Sequence, residues 1–281
     1  MDFKQKSVLI TGGSRGIGKA IAVKLAGLGA NVAILAKTTE PHPQLPGTIY
    51  TAAEEIRAAG GQALPLAVDI RYEDQVLQAV DLTVQTFGGL DFVINNASAI
   101  QLSPAEHLDM KRFDLMHQIN YRGTYLTTKL CLPYLKKSAH AHVLTLSPPL
   151  NLHPAFFGPH VAYTISKFNM SLCMLGLAEE FRPYHIGCNA LWPKTTIATA
   201  AVMNLLGGSD MIQKSRTTDI MADATAAILA MDPRQTTGKF FIDEDVLREL
   251  GEKDFDKYAI SDQPLMPDLF TEEFLQLIEP K

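Results

Sequence analysis

The chain has 281 residues, 47% hydrophobic and 20% charged, so it can bury a sizeable core and is not intrinsically disordered. Its 25 Lys and Arg against 30 Asp and Glu give a formal charge of −5 with no basic run, which leaves no electrostatic footprint for nucleic acid. Cys131, Cys173 and Cys188 are odd in number and widely spaced, as expected of buried thiols in a reducing compartment rather than a disulfide framework. No secretory signal pattern, no run of ~18 apolar residues and no S-K-L type ending is legible, so a cytoplasmic location and no membrane span are expected.

Short apolar runs alternate with segments of helical period from Ser7 to about Ile242, which predicts a parallel sheet with helices on both faces. Seven strands are expected at 8–11, 32–36, 63–68, 92–95, 142–147, 186–191 and 240–243, and helices near 17–28, 49–59, 72–87, 108–136, 160–181 and 219–231. No linker or internal repeat divides the chain. A single domain over 1–281 is expected, with its core at 5–245 and an extension at 246–281. Residues 38–48 hold three prolines and one glycine and read as a long loop framing a ligand site. Thr271, with Glu273 and Phe274 behind it, suggests a short capped helix in the extension.

The first strand runs into Thr11-Gly12-Gly13-Ser14-Arg15-Gly16-Ile17-Gly18 and then an apolar helix. Glycines at 12, 16 and 18 let the backbone turn tightly and approach a pyrophosphate seated on the helix N-terminus, so this corner reads as dinucleotide-binding. An NAD site usually places an acid at the end of the second strand, but that strand ends Ile34-Leu35-Ala36-Lys37. Lys37 and Arg15 can instead approach a 2′-phosphate, which favours NADP(H) over NAD(H). Tyr163 and Lys167 stand at i and i+4, one helix face, where an ammonium can lower a phenol pKa from near 10 toward neutrality, a shift worth roughly 4 kcal/mol.

Taken together, these motifs resemble the short-chain dehydrogenase/reductase family, in chain order from Thr11 to about Asp243. The glycine loop matches at 11–18. An acid closing the third strand matches Asp69-Ile70, and the N-N-A-G turn matches Asn95-Asn96-Ala97 with Ser98 in place of glycine. The family's asparagine matches Asn120, its serine Ser147, and its tyrosine and lysine Tyr163 and Lys167. The resemblance implies a Rossmann-type doubly wound fold with a seven-stranded, mainly parallel sheet. It also implies that Tyr163 exchanges the proton with the substrate oxygen. Lys167 would lower the tyrosine pKa and hold the nicotinamide ribose, Ser147 orient the substrate, and Asn120 hold a relay water through its main chain. Cofactor contacts are expected from Gly12, Ser14, Arg15, Gly16, Ile17, Gly18, Lys37, Asp69, Ile70, Asn96, Ala97, Ser98, Tyr163, Lys167, Pro193, Lys194, Thr195 and Thr196.

Two departures stand out. Lys194 takes the place of a glycine after the sixth strand, where its side chain could meet the pyrophosphate, an acidic substrate, or water. Tyr163 follows Ser147 by sixteen positions, a few more than usual in the family, so the backbone between them must bulge. Ser98, the run Leu191–Thr195 and the run Phe241–Val246 resemble a hydroxysteroid dehydrogenase-like branch, which often carries a sterol-carrier domain that the 281 residues do not include. Residues 197–217 fall where the family has a mobile lid, with Gly207-Gly208 as hinge. His153 and His160, with Phe156 and Phe157, are candidate pocket residues, and no metal site is expected. The stripe Met170, Cys173, Met174, Leu177 reads as core or subunit interface.

The expected function is a carbonyl/secondary-alcohol oxidoreductase for a small, lipophilic substrate, acting as a homodimer or homotetramer. Anionic or acyl-CoA substrates, or a catalytically weak dinucleotide-binding regulator, are the alternatives.

Overall fold

A computed structural model describes residues 2–42 and 45–278; the final Glu279-Pro280-Lys281, read above for a targeting signal, lies outside them. Seven strands form one sheet: β1 (Ser7–Thr11), β2 (Asn31–Ala36), β3 (Ala63–Ala67), β4 (Phe92–Asn95), β5 (Ala141–Thr145), β6 (Ile186–Trp192) and β7 (Phe240–Ile242). Their spatial order is β3-β2-β1-β4-β5-β6-β7, and every pairing is parallel. Pro65 lies within β3, tolerated because β3 is an edge strand whose outer side needs no ladder donor. Strand order reverses between β1 and β4, and in such a sheet the crevice at the carboxyl ends beside that switch point is where ligands bind.

Helices α1 (Gly16–Gly27) and α2 (Ile49–Ala58) cover one face together with α9 (Asp219–Leu229), burying Ile21, Leu25, Ile56 and Ile228 against Val8, Ile10 and Ile34. The other face carries α3 (Glu73–Phe87), α5 (Thr124–Leu135) and α6 (Val161–Glu180), packed on Leu9, Val93, Val143 and Cys188. Alternate residues of one strand thus feed opposite cores, which is why the strands read as unbroken apolar runs.

The single helix expected over 108–136 divides into α4 (Met110–His117), a π-helical stretch at Gln118–Gly123, and α5. The wider turn places Asn120 at the buried side, and Gly123 packs tightly onto Ile70: a Cβ there would lie 2.5 Å from the Ile70 Cδ1. Short helices α7 (Ala200–Leu205) and α8 (Gly208–Gln213) fill part of 197–217, joined at Gly207-Gly208, both in positive-φ conformations. Beyond β7 come α10 (Asp243–Glu249) and α11 (Glu272–Ile278), the latter capped as the sequence suggests, with Thr271 Oγ1 accepting from Phe274 N at 3.2 Å. Cys131 and Cys188 are buried, whereas Cys173 is only partly so because its side of α6 faces outward.

Candidate active site

The expected cofactor residues follow the carboxyl ends of the strands. Thr11 Oγ1, at the end of β1, accepts from the backbone N–H groups of Asn96 and Ala97, both at 3.1 Å. Asn96 Nδ2 donates back to the Thr11 and Gly12 carbonyls at 3.0 Å, locking the first turn to the one after β4. Gly12 has φ +71, where a side chain is strained. Gly18 is needed for space instead: a Cβ would lie 2.4 Å from Asn96 Nδ2 and 2.6 Å from the Gly12 oxygen. Helix α1 starts at an extended Arg15 with no side-chain cap and no acid in its first turn, so its N-terminal dipole faces the turn uncompensated. The turn and α1 therefore fit a dinucleotide pyrophosphate.

Arg15 Nη2 donates to Gly47 O at 2.9 Å while its buried Nε has no partner, so the proline-rich loop lies against the glycine turn at Gly47. Lys37 is exposed and 3.6 Å from Asp69, whose carboxylate is also gripped by Arg71 at 2.6 Å. The Arg71 hydrogen bonds hold the Asp69 carboxyl below the usual range, with Lys37 adding to the effect. Asp69 is therefore a matched charge, and β2 itself ends without a carboxylate.

Asn120 joins three elements. Its Oδ1 accepts from Ala99 N at 2.7 Å, and its Nδ2 donates to Ala99 O and to Ser166 Oγ, both at 2.9 Å. Ser147 stays buried just past β5 despite the long insertion, because Ser171 Oγ on α6 holds the Pro148 carbonyl at 2.6 Å. The added residues run out instead to a 3₁₀ turn at Pro154–Phe156. Ser147 Oγ and Thr195 Oγ1 are buried polar atoms with no partner in the protein, as residues awaiting a ligand would be.

Tyr163 and Lys167 lie one turn apart on the buried face of α6. Lys167 Nζ donates to Leu146 O at 2.6 Å and lies 5.0 Å from the centre of the Trp192 ring. Burial lowers its pKa to about 7, with Asp268 opposing that fall. Tyr163 moves the other way from expectation: burial, reinforced by Asp268, pushes its phenol well above 10. The i,i+4 spacing alone does not deliver the expected lowering, because the ammonium is turned to the Leu146 carbonyl.

Lys194 also resolves. Its ammonium meets Asp245 at 2.9 Å, Glu273 at 3.6 Å and Glu244 at 3.7 Å, while its backbone N donates to Asp243 at 2.9 Å. The side chain therefore faces neither a ligand nor open water but is a cation spent on carboxylates.

Two residues of the extension carry no signal in the sequence. Asp268 lies close enough to Lys167, Tyr163 and Asp243 to couple to their charges; its own carboxyl is raised well above the carboxylate range by burial and then by Asp243. Phe270 is buried in an aromatic cluster with Tyr163, Phe156, Phe168 and Trp192. It has φ +71, which for a bulky residue costs about 1–3 kcal/mol. Burying a phenyl ring contributes about 1.5–3 kcal/mol, so burial alone only offsets the strain. The hydrogen bond from Trp192 Nε1 to Leu269 O at 2.6 Å supplies part of the balance. A capped helix just behind it was legible, but neither a left-handed phenylalanine nor its partners has a sequence signature.

Residues 6–207 match the short chain dehydrogenase family. The chain belongs to that family. This family member is 59% identical over 268 residues to hydroxysteroid dehydrogenase-like protein 2 of Xenopus tropicalis, in agreement with Ser98 and the runs 191–195 and 241–246. The match covers 95% of this chain and 64% of that protein, so the chain spans less than two thirds of its relative's length. A crystal structure from Xanthomonas campestris is 49% identical with a TM-score of 0.94, covering 97% of this chain and 100% of its own. A short chain dehydrogenase from Burkholderia cenocepacia J2315, solved in complex with NADP, is 26% identical with a TM-score of 0.73, covering 86% of this chain and 97% of its own.

Proposed function

We propose that the chain is an NADP(H)-dependent oxidoreductase that interconverts a carbonyl and a secondary alcohol on a small apolar substrate. One observation carries this reading: Tyr163, Lys167 and the unpartnered Ser147 Oγ are all buried, and Lys167 Nζ donates to the carbonyl of Leu146, the residue before Ser147, just past the carboxyl end of β5. The nicotinamide, when bound, supplies the hydride that reduces the carbonyl carbon, or accepts it in the reverse direction. Ser147 Oγ donates to the substrate oxygen and fixes it. Tyr163, protonated at neutral pH, gives its hydroxyl proton to that oxygen in reduction and recovers it in oxidation. Lys167, once its Nζ turns from the Leu146 carbonyl toward the phenol, stabilises the phenolate left behind, and Asn120 keeps α6 in register with the turn after β4.

NADP(H) is supported by Arg15 in the phosphate turn and Lys37 just after β2, a strand that ends without an acid of its own, while the Asp69 carboxylate 3.6 Å from Lys37 is already held by Arg71. The apolar character is supported by Phe156, Phe157 and Trp192 around Tyr163. Anionic substrates are less well supported, because the Lys194 charge is already matched. The intact residue set speaks against a regulator with lost chemistry. Exposed Tyr125 on α5 and Leu172 and Leu175 on α6 support a homodimer or homotetramer through these helices. The test is turnover of a carbonyl panel with NADPH and NADH. Activity that prefers NADPH and vanishes in Tyr163→Phe upholds the reading, and absence of dinucleotide binding overturns it.

A further inference from the structure

We propose that the strap at residues 267–271 is a working part of the active site, in which Phe270 is a positioning residue that holds the Tyr163 ring at its reacting orientation. The proposal deepens the oxidoreductase reading and rests on it for the role of Tyr163. Three rings form a triangle: Tyr163 to His160 is 5.9 Å between centroids, Tyr163 to Phe270 is 6.2 Å, and His160 to Phe270 is 6.3 Å. Tyr163 is near-parallel to both neighbours, at 16° and 27°. A phenol so bounded has little freedom to swing, and swinging would move its hydroxyl away from the substrate oxygen that Ser147 addresses.

The strap is anchored to the loop after β6, the stretch expected to face the nicotinamide. Thr195 pairs with Pro267, Asp268 N donates to Lys194 O at 3.0 Å, and Trp192 Nε1 donates to Leu269 O. On the far side, Thr271 Oγ1 donates to Asp268 O at 2.8 Å and α11 begins, with Glu273 reaching Lys194. These contacts force Phe270 into a left-handed conformation rather than letting it relax, and strain of that kind persists where the surroundings over-determine a position. Packing alone would be satisfied by any apolar group; the near-parallel stacking requires a flat one.

Trp192 is the protein's single tryptophan, so its emission reports whether the strap is seated. Phe270→Gly accepts the positive φ and removes the ring; Phe270→Leu keeps apolar bulk and removes the flat face. Both should lower kcat about 10- to 100-fold while the KM for NADPH stays within about twofold, and Phe270→Gly should keep the Trp192 emission that of a buried indole, shifted only by loss of the ring 5.9 Å away, because the backbone anchors remain. In protein with ring-labelled tyrosine, the Tyr163 NMR signal, assigned by its loss in Tyr163→Phe, should move in both variants as the neighbouring ring current is removed. A wild-type kcat in both variants, or a Tyr163 signal that does not move, would overturn the proposal. If the wild type turns over no carbonyl, the oxidoreductase reading falls, and the Tyr163 signal still decides whether Phe270 holds that ring.

Discussion

Asn120 Nδ2 donates to Ser166 Oγ at 2.9 Å and so ties the π-helical turn to the helix that carries Tyr163 and Lys167. The same side chain satisfies both backbone groups of Ala99, which makes it the junction of three elements. Asn120→Ala leaves those buried partners unsatisfied and should destabilise the protein by about 3 kcal/mol, against about 1 kcal/mol for Ser166→Ala. Denaturant unfolding of the two variants checks the ratio; equal losses would mean that the Ala99 contacts contribute nothing.

Cofactor choice should depend on Arg15 and Lys37. Each substitution to Ala should weaken NADPH binding about 10- to 100-fold, the loss of one charge-assisted contact, and leave NADH binding almost unchanged. Titration by nicotinamide fluorescence reads both. Equal weakening for the two dinucleotides would place these cations on the shared pyrophosphate instead.

Buried His142 donates through Nε2 to Met231 O at 3.0 Å, and burial lowers its pKa to about 4. The unfolded chain therefore binds more protons than the folded one between about pH 6.5 and 4, so this group removes stability as pH falls through that window, about 3 kcal/mol in all. Asp243, raised to about 6 by burial, works oppositely: the folded state holds its proton longer, and its contribution grows as pH falls from about 6 to 3.8. The wild-type slope should accordingly be shallow. His142→Gln should gain stability over the wild type progressively below pH 6.5, and a constant difference across pH would contradict this assignment.

Lys194→Ala should leave the KM for anionic and neutral carbonyls alike within about twofold, since the ammonium is matched by Asp245, Glu244 and Glu273. Steady-state kinetics on a matched pair of substrates decides it. A selective rise in KM for the anion would show that the carboxylates release the lysine to the substrate.

Much of this architecture is readable from residue pattern. Apolar strands between amphipathic segments predicted all seven strands, and the Gly12–Gly18 turn, Asn120, Ser147 and the Tyr163/Lys167 pair fall together at the carboxyl edge of the sheet. What stayed hidden depended on tertiary partners. The break at Gln118–Gly123 has no proline or glycine at its start to announce it, and the direction of the Tyr163 pKa depends on where Lys167 Nζ points, which spacing does not specify. Phe270 and Asp268 belong to an aperiodic segment more than 100 residues beyond Tyr163, so only the folded chain shows that they meet.

The most direct test of the central claim is NADPH oxidation in the presence of apolar carbonyl compounds, measured side by side for the wild type and Tyr163→Phe. The account predicts turnover by the wild type, a loss of at least about 100-fold in Tyr163→Phe, and NADPH binding that is the same in both, because the hydroxyl acts in proton transfer and not in holding the dinucleotide. Equal turnover by the two proteins, or a wild type that does not bind NADPH, would contradict it.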